Sequence, residues 1–516
     1  MTGDPNRVVI ARRARRLAPA VVAVAVAVAV AAASTSAAAS QNTGAPNKVI
    51  TPLLPPTDAF EQPSLATDPA HPTHLAMAYR EGSKLSECYL ARSTDSGSTW
   101  KSMALVGSQG GAALPPGASH CDNPKVAFGP AGSLYYVFQD TGFRRTEPTA
   151  LNSFIMASAD GGGHFGAPQM LAPSDMANDW YPDVVADQKT GRVYVAWSRY
   201  GINFTVFPGV ILVESSTDRA KTFSAPTQIE PPKAPQNVGG PFMSVGADGK
   251  LYLSYLPGQV ATGGMFVPTT DTMQVAVSSD AGRTFTDRPV AEIAKAARGS
   301  GKLTPSFNNQ AVATGNSSGL AYVSWWDDRG PDGLPRIAFS STTNGGQSWA
   351  SPRTLAPPPG IGASEQLSSP WISVAPNGRI DLAYYGLTPD GIQNVYRSSS
   401  TDRGATFAAP VKLNAQPSLA KVGPSAGGRL TATFGDYLAV SAADQRSVVA
   451  WTDSSRGNLT TGHQDIFVAV KQMGGGGLSL WVFVLIGGGV VVLLVVVVAA
   501  GRRFRKAGVE REGTAT

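Results

Sequence analysis

At 516 residues, with 42% hydrophobic and 15% charged residues, the chain is long enough and apolar enough to bury a large core, which excludes the disordered class. Its 56 Gly and 39 Pro, scattered among short Val, Tyr and Trp runs, predict many strands joined by tight turns rather than helices. Of the formal net charge of +6, residues 1–20 hold +4 and residues 501–516 hold +3, so the stretch between carries −1 and a nucleic-acid partner is excluded.

In chain order, residues 1–40 read as an export signal. Arg7, Arg12, Arg13, Arg15 and Arg16 precede the apolar run 21–33, and small residues then lead to a cleavage point near Ala39 or Ser40, an uncleaved anchor being the other reading. A strand-like segment, "NKVITPLLPP" (47–56), follows.

From residue 63 the sequence repeats. Each module opens with two strands around a Gly or Pro turn, as in "PKVAFGPAGSLYYVFQD" (124–140), "PDVVADQKTGRVYVAWSR" (182–199) and "PWISVAPNGRIDLAYYG" (370–386). Six of the modules continue into a third strand ending in a box such as "STDSGSTW" (93–100), then a fourth strand such as "SAPTQI" (224–229). The residues at the third box position are Asp95, Asp160, Asp218, Asp280, Asn344 and Asp402, spaced by 65, 58, 62, 64 and 58 residues. A period near 60 with four antiparallel strands per unit predicts an all-β, seven-bladed β-propeller over 41–473, six blades being the alternative if only boxed modules count. The seventh module (436–456) lacks a box and a fourth strand, and the strand near 48–54 is expected to supply it and close the ring.

A Gly linker (474–477) leads to 478–501, which is uncharged and long enough to cross ~30 Å of hydrocarbon as a helix. The basic tail 502–516 then predicts a single span with the C-terminus cytoplasmic and the propeller outside. That compartment is oxidising, and Cys88 and Cys121, the only two cysteines, fall at one blade junction, so they are expected to form a disulfide.

The boxes resemble the Asp-box, or BNR, repeat of the sialidase-like β-propeller superfamily over about 47–473. The resemblance implies that each box forms the turn between third and fourth strands, with the Asp capping backbone N–H groups and the aromatic packing between blades. It also implies that this turn faces away from the ligand. The six box residues are therefore structural.

The opposite face carries Arg80, Asp140, Arg199, Asp327, Asp328, Arg329, Asp453 and Arg456 after second strands, with Asp179, Glu365, Asp436 and Tyr437 before first strands. "WWDDRG" (325–330) and "WTDSSRG" (451–457) share a Trp-x-Asp-x-Arg ending, whose carboxylate and guanidinium orient a ligand or tie a loop. Sialidases clamp the substrate carboxylate with three Arg and use a Tyr nucleophile, a Glu base and an Asp acid. The resemblance makes Tyr437, Glu365 and Asp327 the catalytic candidates, with Arg329, Arg397 or Arg429 as a clamp. The family's first Arg, in a Phe-Arg-Ile-Pro motif, is matched here by Glu61 in "FEQP" (60–63), and a carboxylate there repels an anionic substrate. The leading expectation is thus a surface binding module for a glycan or protein, the alternative being a sialidase or other glycoside hydrolase. The five histidines, at 71, 74, 120, 164 and 463, show no metal-ligand spacing, and neither a phosphate loop nor a "GxSxG" elbow is present, so no metal or cofactor is expected.

Overall fold

The computed structural model describes residues 47–51, 59–82, 87–107, 121–140, 151–201, 209–229, 237–260, 266–267, 272–293, 310–327, 334–360, 364–423, 437–473, 479–487 and 490–498. The chain divides into Met1–Ala45 and Pro46–Thr516, and all described residues lie in the second unit. The expected signal segment, linker and basic tail lie outside the described residues, as do Asp328, Arg329, Arg429, Asp436 and His120.

Seven four-stranded antiparallel sheets form the blades of a propeller. The first strands of blades 1 to 7 are Phe60–Thr67, Asp122–Phe128, Ala177–Ala186, Phe242–Val245, Gln310–Thr314, Gln366–Val374 and Ala439–Ala443. These strands lie innermost and contact one another around the ring, including Phe60–Thr67 against Ala439–Ala443. Blade 6 has a fifth strand, Ser418–Leu419, and a small three-stranded sheet (Asn237–Val238, Pro257–Val260, Phe266–Val267) accompanies blade 4.

Packing explains both the blade number and the sequence pattern. Seven apolar clusters fill the seven junctions between adjacent blades, from blades 1–2 round to blades 7–1. Second strands lie between two such clusters, so Leu134–Gln139 is buried at every position instead of alternating. Outer strands such as Thr286–Glu292 are largely exposed.

Ring closure follows the sequence expectation. Lys48 and Val49 pair with Val468 and Phe467 of blade 7, and Ile50 N–H donates to Ile466 O at 2.9 Å. The outer edge of blade 7 is thereby covered.

All six boxes form one local structure. In blade 1, Ser93 Oγ accepts from Gly97 N–H at 2.9 Å, while Asp95 Oδ1 accepts from Thr99 N–H at 2.7 Å. The same pair of bonds recurs at Asp160, Asp218, Asp280, Asn344 and Asp402. Each box aromatic packs on the cluster shared with the preceding blade, as Trp100 does at junction 7–1 and Phe165 at junction 1–2.

Cys88 and Cys121 are joined in a disulfide with Cα atoms 5.6 Å apart, as expected, at the junction of blades 1 and 2. The C-terminal segment departs from the expected helix. Ser479–Gly487 and Val490–Val498 pair as a two-stranded antiparallel hairpin instead of a helix, and no described helix is long and apolar enough to cross a membrane. A Val-rich run interrupted by three glycines favours strands about a turn when only local preference acts.

A recurrent distortion sets up the centre of the ring. Gln62, Asn123, Tyr181 and Ser369 have φ of 59°, 48°, 56° and 50°, and each directly precedes a proline. At each of these points the register with the second strand slips, a β-bulge. Proline lacks the N–H that a regular ladder needs, and the bulge re-aims the residue after it.

Candidate functional site

Four residues, three that follow these prolines and one that follows the matching Pro241, converge with Tyr437 on the propeller axis. Lys125 of blade 2 is buried, and its Nζ lies 3.4 Å from the ring centroid of Tyr437 (blade 7), 4.0 Å from Trp371 (blade 6) and 4.7 Å from Phe242 (blade 4). Phe242 and Trp371 meet edge to face with centroids 4.8 Å apart. Asp183 of blade 3 completes the group, accepting from Met243 N–H at 2.7 Å. Burial pushes its carboxyl above the ordinary range and the charge of Lys125 opposes that shift. Ring faces are the negative regions of an aromatic quadrupole, so the ammonium is held by cation–π attraction together with a buried carboxylate.

This centre was not among the expected site residues, although its signal is in the modules. The residue after the opening proline is Lys125, Asp183, Phe242 or Trp371 in four of them.

Around the axis, the charged residues expected on this face are mostly engaged with the protein itself. Arg80 lies between Glu61, to which it donates, and Asp122, with Nη1 2.7 Å from Asp122 Oδ1. Burial raises the Glu61 carboxyl, Arg80 works against that shift, and Asp122 adds to it. The position where the resemblance implies a clamp arginine therefore holds a carboxylate neutralised from the second strand. Arg199 forks onto Asp179 (2.7 and 3.0 Å) and also donates to Ala172 O at 2.8 Å. Glu214, buried nearby, is pushed up to about 7, chiefly by desolvation. Asp140 is buried at the end of its strand, where its N–H donates to Asn152 O at 3.0 Å.

The shared Trp-x-Asp endings have a common geometry. Trp325 Nε1 donates to Asp327 at 3.1 Å and Trp451 Nε1 to Asp453 at 2.9 Å, because residues two apart share one face of a strand. Asp453 also caps Ser455 N–H at 2.7 Å. Arg456, exposed, pairs with the buried Asp465 at 3.3 Å.

The catalytic candidates are not brought into one constellation. Tyr437 is buried under Lys125 and its hydroxyl donates to Pro124 O at 3.3 Å. Glu365 is buried elsewhere, its Oε1 accepting from Asn394 at 2.6 Å and from the Tyr396 hydroxyl at 2.8 Å. Gly386 makes room for it, since a Cβ there would fall 2.1 Å from Glu365 Oε2. Arg397, a clamp candidate, instead pairs with Asp381 and donates to Ser447 Oγ at 2.8 Å, bridging blades 6 and 7.

One cluster of metal-ligating side chains occurs among the described residues. It comprises Asp68, His71 and His74, whose ligand atoms all lie within 4.8 Å of one another. Asp68, three residues upstream of His71, supplies the third ligand atom that the histidine spacing alone lacks.

No protein-family model matches the chain, and no curated protein matches it either. Among solved structures it is similar to a Hadza microbial sialidase, with 15% identity, 76% of this chain and 73% of that chain covered, and a TM-score of 0.43. It is similar to an alpha-L-arabinanase of Penicillium chrysogenum, with 13% identity, 84% and 99% covered, and a TM-score of 0.44. It is also similar to the NanB sialidase of Streptococcus pneumoniae, with 8% identity, 78% and 83% covered, and a TM-score of 0.42.

Proposed function

We propose that the chain is a membrane-anchored propeller, held outside the cytoplasm, that binds glycan or protein ligands on the face opposite the boxes and catalyses no reaction there. One observation carries the noncatalytic reading. Tyr437, Glu365 and Asp327 are each buried and held by separate partners, Pro124 with Lys125, Asn394 with Tyr396, and Trp325. Acid–base chemistry needs a donor and an acceptor that converge on one accessible reacting bond.

A glycoside hydrolase is the alternative, and the hydrogen bond between Tyr396 and Glu365 is the feature that favours it. Yet burial, reinforced by the Glu365 charge, pushes the Tyr396 phenol upward, away from the phenolate that a nucleophile requires.

Membrane anchoring rests on the uncharged 478–501 and the basic residues after it. In lipid an isolated hairpin leaves edge N–H and C=O groups unpaired, whereas a helix pairs them internally, so this segment is proposed to span as a helix once in a bilayer.

The test is a glycan array probed with the full chain in detergent, run beside turnover assays on fluorogenic sialosides and arabinofuranosides. Retention on a defined glycan class without turnover supports the binding reading. Turnover abolished by Glu365→Gln overturns it.

A further inference from the structure

We infer that the turn between the first two strands of blade 1 is a site for a divalent transition-metal ion of the zinc class, with Asp68, His71 and His74 as its protein ligands. The turn lies among those on the box side of the ring, and the inference is independent of the proposed ligand face.

The backbone of the turn is held from several directions. Asp68 N–H donates to His74 O at 3.0 Å, His74 N–H donates to His71 O at 2.7 Å, and Ser96 N–H of the adjacent box donates to Thr73 O at 2.9 Å. Arg446 of blade 7 reaches across the junction and donates to Pro72 O. The three side chains thus project from a fixed loop, the preorganisation that makes a metal site more than a chance encounter of ligands.

The side chains are disposed in keeping with this role. The Asp68 carboxylate is almost fully buried, with Oδ1 accepting from Ala70 N–H at 2.9 Å and Oδ2 3.0 Å from His71 Nδ1. The rings of His71 and His74 stack with centroids 5.1 Å apart. Two imidazole nitrogens and one carboxylate oxygen thus stand together as donor atoms of the kind that zinc binds.

Ligand bonds of about 2.0–2.2 Å at tetrahedral angles place donor atoms roughly 3.3–3.5 Å apart. Asp68 Oδ2 and His71 Nδ1 stand 3.0 Å apart, slightly short of that range, all three ligand atoms lie within 4.8 Å of one another, and His71, 60% exposed, has room to turn from its hydrogen bond onto a shared ion. That exposure leaves a coordination position open to water. Two imidazoles with one carboxylate favour zinc, cobalt or nickel over calcium or magnesium, which prefer all-oxygen shells.

The experiment uses the full chain in detergent, without a polyhistidine tag, stripped with chelator and titrated with Co²⁺. The expected result is one equivalent bound with the visible absorption of a low-coordinate cobalt centre, displaced by Zn²⁺. His71→Ala combined with His74→Ala should remove the spectrum and weaken binding by at least about tenfold, while His164→Ala leaves both unchanged. Since the double variant could lose stability, its melting temperature without metal is compared with that of the parent. Zn²⁺ should raise the parent's value and leave the variant's unmoved. Absence of the spectrum in the parent, or an unchanged spectrum in the folded double variant, overturns the assignment.

Discussion

The ammonium of Lys125 sits 3.4 Å above the ring of Tyr437, although the two residues belong to blades 2 and 7. With Trp371, Phe242 and Asp183, this contact ties five of the seven blades together at the axis.

Lys125→Met is expected to destabilise the propeller by about 3–5 kcal/mol, because it leaves Asp183 buried without its cation. Adding Asp183→Asn should recover part of that loss. Urea unfolding followed by Trp fluorescence measures both, and a cost below about 1 kcal/mol for the single variant rules out a structural role for the pair.

The boxes predict acid sensitivity. Hydrogen bonds from the threonine four residues on hold Asp95, Asp280 and Asp402 down to about 2. A depressed carboxylate contributes stability that is present above its unfolded value of about 4 and is lost as pH falls towards about 2. Melting temperature should drop across that window. Asp402→Asn should fold normally at neutral pH, as the natural Asn344 box does with its own Oδ1 3.1 Å from Ser348 N, and should flatten the acid loss.

Linking Cys88 to Cys121 closes 33 residues of chain, for which loop entropy gives about 3–4 kcal/mol of stabilisation. Intact mass after alkylation of the denatured, unreduced chain should show no modified thiol. Two modified thiols would disprove the bond in the native protein, and replacing both cysteines with Ala should lower the melting temperature.

Removing residues 47–51 should uncover the edge of Asp465–Gln472, lower the melting temperature and promote self-association, which size-exclusion chromatography would detect. A monomer of unchanged stability would show that blade 7 does not need its borrowed strand.

Much of this architecture could be read from the sequence by itself, because its determinants are local or repeated. A box is closed by bonds spanning four residues, so Ser93, Asp95, Gly97 and Thr99 specify it wherever the rest of the chain lies. Seven two-strand modules gave the blade count, and a missing strand at one end with a spare one at the other gave the closure.

Partner choice was decided only in three dimensions. Arg80, Arg199 and Arg397 all looked available to a ligand, but each finds a buried carboxylate, Glu61 and Asp122, Asp179, or Asp381. Tyr437 looked like a nucleophile, yet it bonds to Pro124, 313 residues away, beneath Lys125. Such pairings depend on ring closure and on the bulges at Asn123, Tyr181 and Ser369, which re-aim the residues that follow them. Burying a charge is tolerated only when a partner arrives with it, and which partner arrives is set by the ring that brings distant strands together.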